Sequence, residues 1–159
     1  MAGERAVVAQ MNVARLRAMP GDPLVAGFID NVSRVNAIAE RSEGFVWRLN
    51  DSALAVDDRV SFQWLGDDPM LAISLSVWES VEHLHHFVTR SAHGGFLRRR
   101  ERWFEPSDGP NYVLWTIGDS HRPTLDEGWA RLRHLAEHGS SPRAFDFSSF
   151  PSSATHPSG

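Results

Sequence analysis

Eight histidines, twenty carboxylates, sixteen cationic residues and six tryptophans carry the chemistry available to this chain. Every cation is an arginine, and there is no cysteine. Thiol nucleophiles, disulfides, zinc–thiolate sites, Fe–S clusters, lysine Schiff bases and a P-loop lysine are therefore excluded. His93 is the leading candidate for proton chemistry. A neutral imidazole can take a proton from a carbon acid or a phenol, and a charged one can stabilise an enolate. Gly94 and Gly95 follow it and would let a ligand approach the backbone. The competing structural reading is that His93 caps a kink between two helices.

The other histidines read as exposed helix residues. His83 and His86 share a helical face, His85 points elsewhere, and His134 and His138 are spaced i, i+4. No carboxylate ligand accompanies either set, so no metal site is assigned. Arg98, Arg99, Arg100 and Arg102 form a cationic run that can clamp a carboxylate, a propionate or a thioester-borne phosphate. For at least three of them a solvated face paired with Glu101 and Glu105 is the better reading. Arg98 is kept as a substrate-binding candidate. Arg48, inside an apolar strand, sits at a cavity mouth or pairs with a carboxylate. Asn12 and Gln10 are similar polar intrusions that orient a substrate carbonyl or satisfy a neighbour. Trp47, Trp78 and Trp115 each fall on a strand and offer flat surfaces to a planar guest. No Ser-His-Asp order, glycine-rich nucleotide fingerprint or Walker sequence is present.

These residues need elements to hold them. Ala6–Ala14 alternates as a strand, with Val7, Ala9, Met11 and Val13 on one face and Val8, Gln10 and Asn12 on the other. Asp22 and Pro23 start a helix whose stripe is Leu24, Phe28, Val32 and Val35, and Gly44 stops it. Phe45–Asn50 is a second strand. Val60–Leu65 reads as a short third. Met70–Trp78 reads as a central strand. Ser80 caps a helix over Val81–Arg90, and Ser91 starts a further helical stretch through Trp103. Tyr112–Ile117 is the last strand. Thr124 and Glu127 have capping-box spacing before a helix that stops at Gly139.

At 159 residues the chain suits one domain, drawn over residues 1–147, with a disordered tail at 148–159. A net charge of −4 argues against nucleic-acid binding. No apolar run reaches bilayer length, and the charged start at Met1–Arg5 lacks a signal-peptide core, which points to the cytoplasm. The order β-α-β-(β)-β-α-β with an extra C-terminal helix describes an α+β, ferredoxin-like domain with an antiparallel sheet. The strands FVWRL, AISLSVW and YVLW look apolar on both faces. One uncovered sheet face would then be buried against a second copy, giving a homodimeric α/β barrel.

Five stretches carry a resemblance. They are AQMNVARLR (Ala9–Arg17), RVNAIAERSEGFVWRL (Arg34–Leu49), SLSVWESVEHLHHFVTRSAH (Ser74–His93), RRRERWFEP (Arg98–Pro106) and HRPTLDEGWARLRHL (His121–Leu135). Together they resemble the DUF3291 family. Trp78-Glu79-Ser80 and Ser91-Ala92-His93 also resemble the wider dimeric α/β-barrel superfamily of antibiotic-biosynthesis monooxygenases, polyketide cyclases and haem-handling enzymes. In the olivetolic-acid-cyclase branch the residue matching His93 is the acid–base. The assisting tyrosine of that branch corresponds to Phe87 here, a departure that touches the cyclase mechanism and not the fold.

Three functions follow as expectations. The first is a cofactor-independent cyclase, isomerase or monooxygenase acting on an apolar aromatic or polyketide-like substrate. His93 is then the acid–base, and Asn12, Trp47, Arg48, Trp78, Phe87, Arg98 and Trp115 form the cavity. The second is a haem protein of the same fold, which needs one histidine and an apolar cavity. The haem-ligand position of the haem-degrading branch falls at Arg98–Arg99 here. The third is a ligand-binding protein without turnover.

Overall fold

The computed structural model describes residues 5–19, 21–49, 71–93, 102–106 and 109–148, with only the backbone described at 29–33, 71 and 91–93. Four strands, β1 (Ala6–Arg15), β2 (Phe45–Arg48), β3 (Leu71–Trp78) and β4 (Tyr112–Gly118), form one sheet in the order β2-β3-β1-β4. Every neighbouring pair is antiparallel. Helix α1 (Ala26–Glu40) joins β1 to β2, α2 (Val81–His93) joins β3 to β4, and α3 (Leu125–His138) follows β4. This is the ferredoxin-like α+β arrangement with one added helix. β3 is an inner strand, as its apolar run implied. The expected Val60–Leu65 strand lies outside the described residues.

Local chemistry explains the boundaries. Asp22 caps a short 3-10 turn, Pro23–Val25, by accepting from the Leu24 N–H at 2.8 Å, and α1 starts only after it. The helix ends at Glu40, and Gly44 then makes a left-handed turn at φ +88° into β2. A Cβ at Gly44 would collide with the His83 ring, so no other residue fits without displacing α2. Ser80 accepts from the His83 N–H at 3.1 Å and starts α2. That helix runs unbroken through Ser91 to His93, which corrects the expected new start at Ser91. Thr124 accepts from the Glu127 N–H at 3.1 Å, and α3 closes at Gly139 with φ +78°.

Alternation divides the sheet into two unlike sides. Val7, Ala9, Met11 and Val13 share one side with Ile73, Leu75, Val77, Val113, Trp115 and Ile117. α3 lies over this side and buries Leu132 and Leu135 against it. Gly128 is the point of closest approach, where an added Cβ would meet the Met11 side chain. Absence of a side chain there lets the helix settle onto the middle strand.

The opposite side faces α1 and α2. Val8, Trp78 and Leu114 pack there with Ala39, Val81 and Leu84. At its far end Leu16, Val25, Phe28, Ala72, Trp103 and Phe104 form a second apolar cluster. Residues 102–106 reach it by pairing with the end of β1, with Arg17 N–H bonded to Trp103 O and Glu105 N–H to Arg15 O, both at 2.8 Å.

After α3 the chain returns to the outer edge of β4. Leu114 and Phe145 exchange both backbone hydrogen bonds, at 2.8 and 2.9 Å. Ala144 thereby joins the α3 side, whereas Phe145 and Phe147 join the α1/α2 side.

On the sheet face expected to await a second copy, the chain's own C-terminal helix packs over β1 and β4. The strands also alternate more than expected. In LAISLSVW the serines Ser74 and Ser76 fall on the α1/α2 side while Ile73, Leu75 and Val77 fall on the other.

Candidate functional site

The α1/α2 side carries a polar floor in its centre. The strand register sets Tyr112, Asn12 and Ser74 in one row. Leu114, Gln10, Ser76 and Arg48 form the next row. Thr116, Val8, Trp78 and Phe45 form the third. Gln10 and Asn12 belong to inner strand β1, yet both remain half-buried. Ala9 and Met11, their chain neighbours on the α3 side, have 0% exposure. Solvent therefore reaches the middle of the sheet on the α1/α2 side and is excluded on the α3 side.

Hydrogen-bond accounting shows unused capacity on this floor. Gln10 Nε2 donates to Ser76 Oγ at 2.8 Å and, more weakly, to Ser74 Oγ at 3.5 Å. Trp78 Nε1 also donates to Ser76 Oγ, at 3.0 Å. Both lone pairs of Ser76 are then engaged, and its own O–H has no acceptor among the described residues. The Gln10 carbonyl oxygen and the whole Asn12 amide are likewise without partners there. Polar groups left open within an apolar surround are the usual mark of a ligand surface.

Aromatic rings frame the floor. Trp78 stacks on Phe87 of α2 at 5.1 Å and meets Phe45 edge-on at 5.4 Å. At the far end Phe28 contacts Phe104 at 4.8 Å and Trp103 at 5.9 Å. On the β4 border Phe147 lies 5.5 Å from Tyr112 and 5.1 Å from His85. On the β2 border Arg48 Nε donates to Glu40 Oε2 at 2.7 Å, which neutralises the cation locally. Among the described residues the floor thus carries no net charge.

The predicted site residues separate accordingly. Asn12, Arg48, Trp78 and Phe87 come together around the floor. Trp115 does not join them. It is fully buried under α3, where its Nε1 donates to Glu127 Oε2 at 2.9 Å. Trp47 lies on the same side as Trp115, half-buried, with Arg122 5.9 Å above its ring. Alternation along the strands is the reason, because one residue of offset reverses the face. The three tryptophans therefore do not line one cavity. The His93 backbone ends α2, the helix that carries Phe87. Arg98 lies outside the described residues.

Three further histidines lie along α2. His83 is tied to the Ser80 hydroxyl through Nδ1 at 2.7 Å. His85 and His86 are exposed on α2. Among the described residues no group of three or more His, Cys, Asp or Glu side chains is placed to hold a metal. Ser74, Ser76 and Tyr112 were not singled out from the sequence. The Ser-Leu-Ser alternation was the available signal for the first two.

A family profile described as "Domain of unknown function (DUF3291)" matches residues 7–158. The chain belongs to the DUF3291 family. That match covers every element of this DUF3291 domain, from β1 through α3 and the returning segment. No curated protein matches the chain. One solved structure similar to it is SnoaB, a cofactor-independent oxygenase from Streptomyces nogalater. It shares 17% identity, covers 75% of this chain and 96% of its own, and superposes with a TM-score of 0.44. Among the described residues no helix is long and apolar enough to cross a membrane.

Proposed function

We propose that this chain is a small-molecule enzyme whose substrate lies on the floor of the α1/α2 side, between the Trp78–Phe87 stack and the Phe28–Trp103–Phe104 cluster. The observation that carries the reading is the solvent-reached polar patch of Gln10, Asn12, Ser74 and Ser76, whose bonding capacity is only partly used among the described residues. Its span is about 10 Å across three strands and about 7 Å along them, from strand and residue spacings. That suits a planar molecule of two or three fused rings. The floor's neutrality favours an uncharged, oxygen-bearing ring system over a phosphate or polycarboxylate. The resemblance to polyketide cyclases and antibiotic-biosynthesis monooxygenases supports the same class of substrate.

His93 is the proposed acid–base. Its position, six residues beyond Phe87, is about 9 Å further along the α2 axis. A dihydroxyanthrone under air tests the oxygenase form. Its ring CH2 would become a carbonyl, with dioxygen consumed and water released, and His93 would take the first proton. Oxygen uptake should fall about 100-fold or more in His93→Ala. Uptake at the wild-type rate would remove His93 from the mechanism.

One observation favours a second reading, ligand binding without turnover. Gln10, Asn12, Ser74 and Ser76 do not titrate, so the floor itself recognises rather than transfers protons. Saturable binding of the same compound with no product would select it.

A further inference from the structure

Tyr112 is the chain's single tyrosine, among nine phenylalanines. It stands at the β4 border of the floor, in the same row as Asn12 and Ser74. Its hydroxyl oxygen accepts the Phe147 N–H at 3.0 Å. That bond fixes the ring without using the phenolic proton. Among the described residues nothing accepts that proton. A purely apolar wall would be served by phenylalanine, which the chain uses at Phe87, Phe145 and Phe147 around the same cluster.

We propose that Tyr112 is a specificity-determining residue of this site, donating its hydroxyl proton to a carbonyl or phenolic oxygen of a planar ligand. The proposal rests on the floor being the ligand surface. It adds the chemical class: a ring system with an oxygen acceptor at the edge that meets β4. The returning C-terminal segment then has a function in recognition, because the Phe147 N–H holds the donor in place. Asn12, one strand away, would meet a second polar group of the same ligand.

The acid–base state of the group supports this role. Burial pushes the phenol above its ordinary range. The Phe147 N–H acts in the opposite direction, and the Asp146 charge adds to the upward push. Tyr112 is therefore a protonated donor throughout the neutral range.

Fluorenone and fluorene, which differ by one carbonyl oxygen, provide the test. Each is titrated against wild type, Tyr112→Phe and Asn12→Leu while tryptophan fluorescence is followed. Tyr112→Phe should weaken fluorenone binding about tenfold, the size expected for one lost hydrogen bond, and leave fluorene unchanged. A carbon-labelled tyrosine gives one resonance in this chain. That signal should move with fluorenone and much less with fluorene, a readout that needs no variant to fold. Equal fluorenone affinity in Tyr112→Phe, or equal loss for both compounds, overturns the assignment. If Asn12→Leu alone weakens fluorenone, the floor stands and only the Tyr112 role falls. If wild type binds neither compound, both fall together.

Discussion

The two sides of this sheet are built from the same strands and have opposite character. On the α3 side each residue of β1 from Val7 to Val13 is apolar and buried, and the buried indole N–H of Trp115 has its acceptor in Glu127. On the α1/α2 side the intervening residues include Gln10 and Asn12, half-buried and with bonding capacity to spare. The contrast teaches that alternation along a strand can separate stability from recognition. One side can be packed to completion while the other keeps an opening. A residue's strand therefore says less about its role than its parity does.

The largest expected effect lies on the closed side. Trp115→Ala should cost about 3–5 kcal/mol, read by urea denaturation, because it empties a fully buried site and removes the indole donor to Glu127 Oε2. Asn12→Leu should leave stability within about 0.5 kcal/mol, since it removes an amide with no partner among the described residues. If the two variants lost stability equally, the distinction between the sides would collapse.

A smaller effect concerns the start of α3. Glu127 Oε1 lies 2.8 Å from His121 Nε2 while Oε2 accepts from Trp115. Burial pushes the carboxyl up, but the hydrogen bonds from His121 and Trp115 and the His121 charge outweigh it, leaving it below the ordinary 4.5. A depressed folded value gives stability that is present above the unfolded value. It is lost as pH falls through the folded one. Acid titration of unfolding should thus show a loss beginning near pH 4.5 in wild type and muted in Glu127→Ala. At neutral pH that variant should cost about 1–3 kcal/mol, for an indole N–H left without its acceptor.

Much of this was legible from residue order. Asp22, Ser80, Thr124 and Gly139 mark element ends where their side chains or backbone freedom require. Polar residues at positions 10 and 12 pointed to an unusual strand. Two features were harder to read. Trp47, Trp78 and Trp115 look alike in composition, but their faces depend on register, including the irregularity between Phe45 and Trp47. The cover supplied by α3 depends on Gly128 meeting Met11, a contact between residues distant in sequence. Local pattern shows how much apolar surface must be hidden, not which segment hides it. Tyr112 was missed for a related reason: its significance comes from Asn12 beside it and Phe147 across from it.

The pairing of Phe145 with Leu114 also affects how the molecule behaves among its own kind. Open strand borders invite lateral addition of neighbouring chains and, eventually, insoluble ribbons. Two backbone bonds and a pair of phenyl rings occupy that border at β4, so a modest stretch of chain guards solubility as well as shaping a wall.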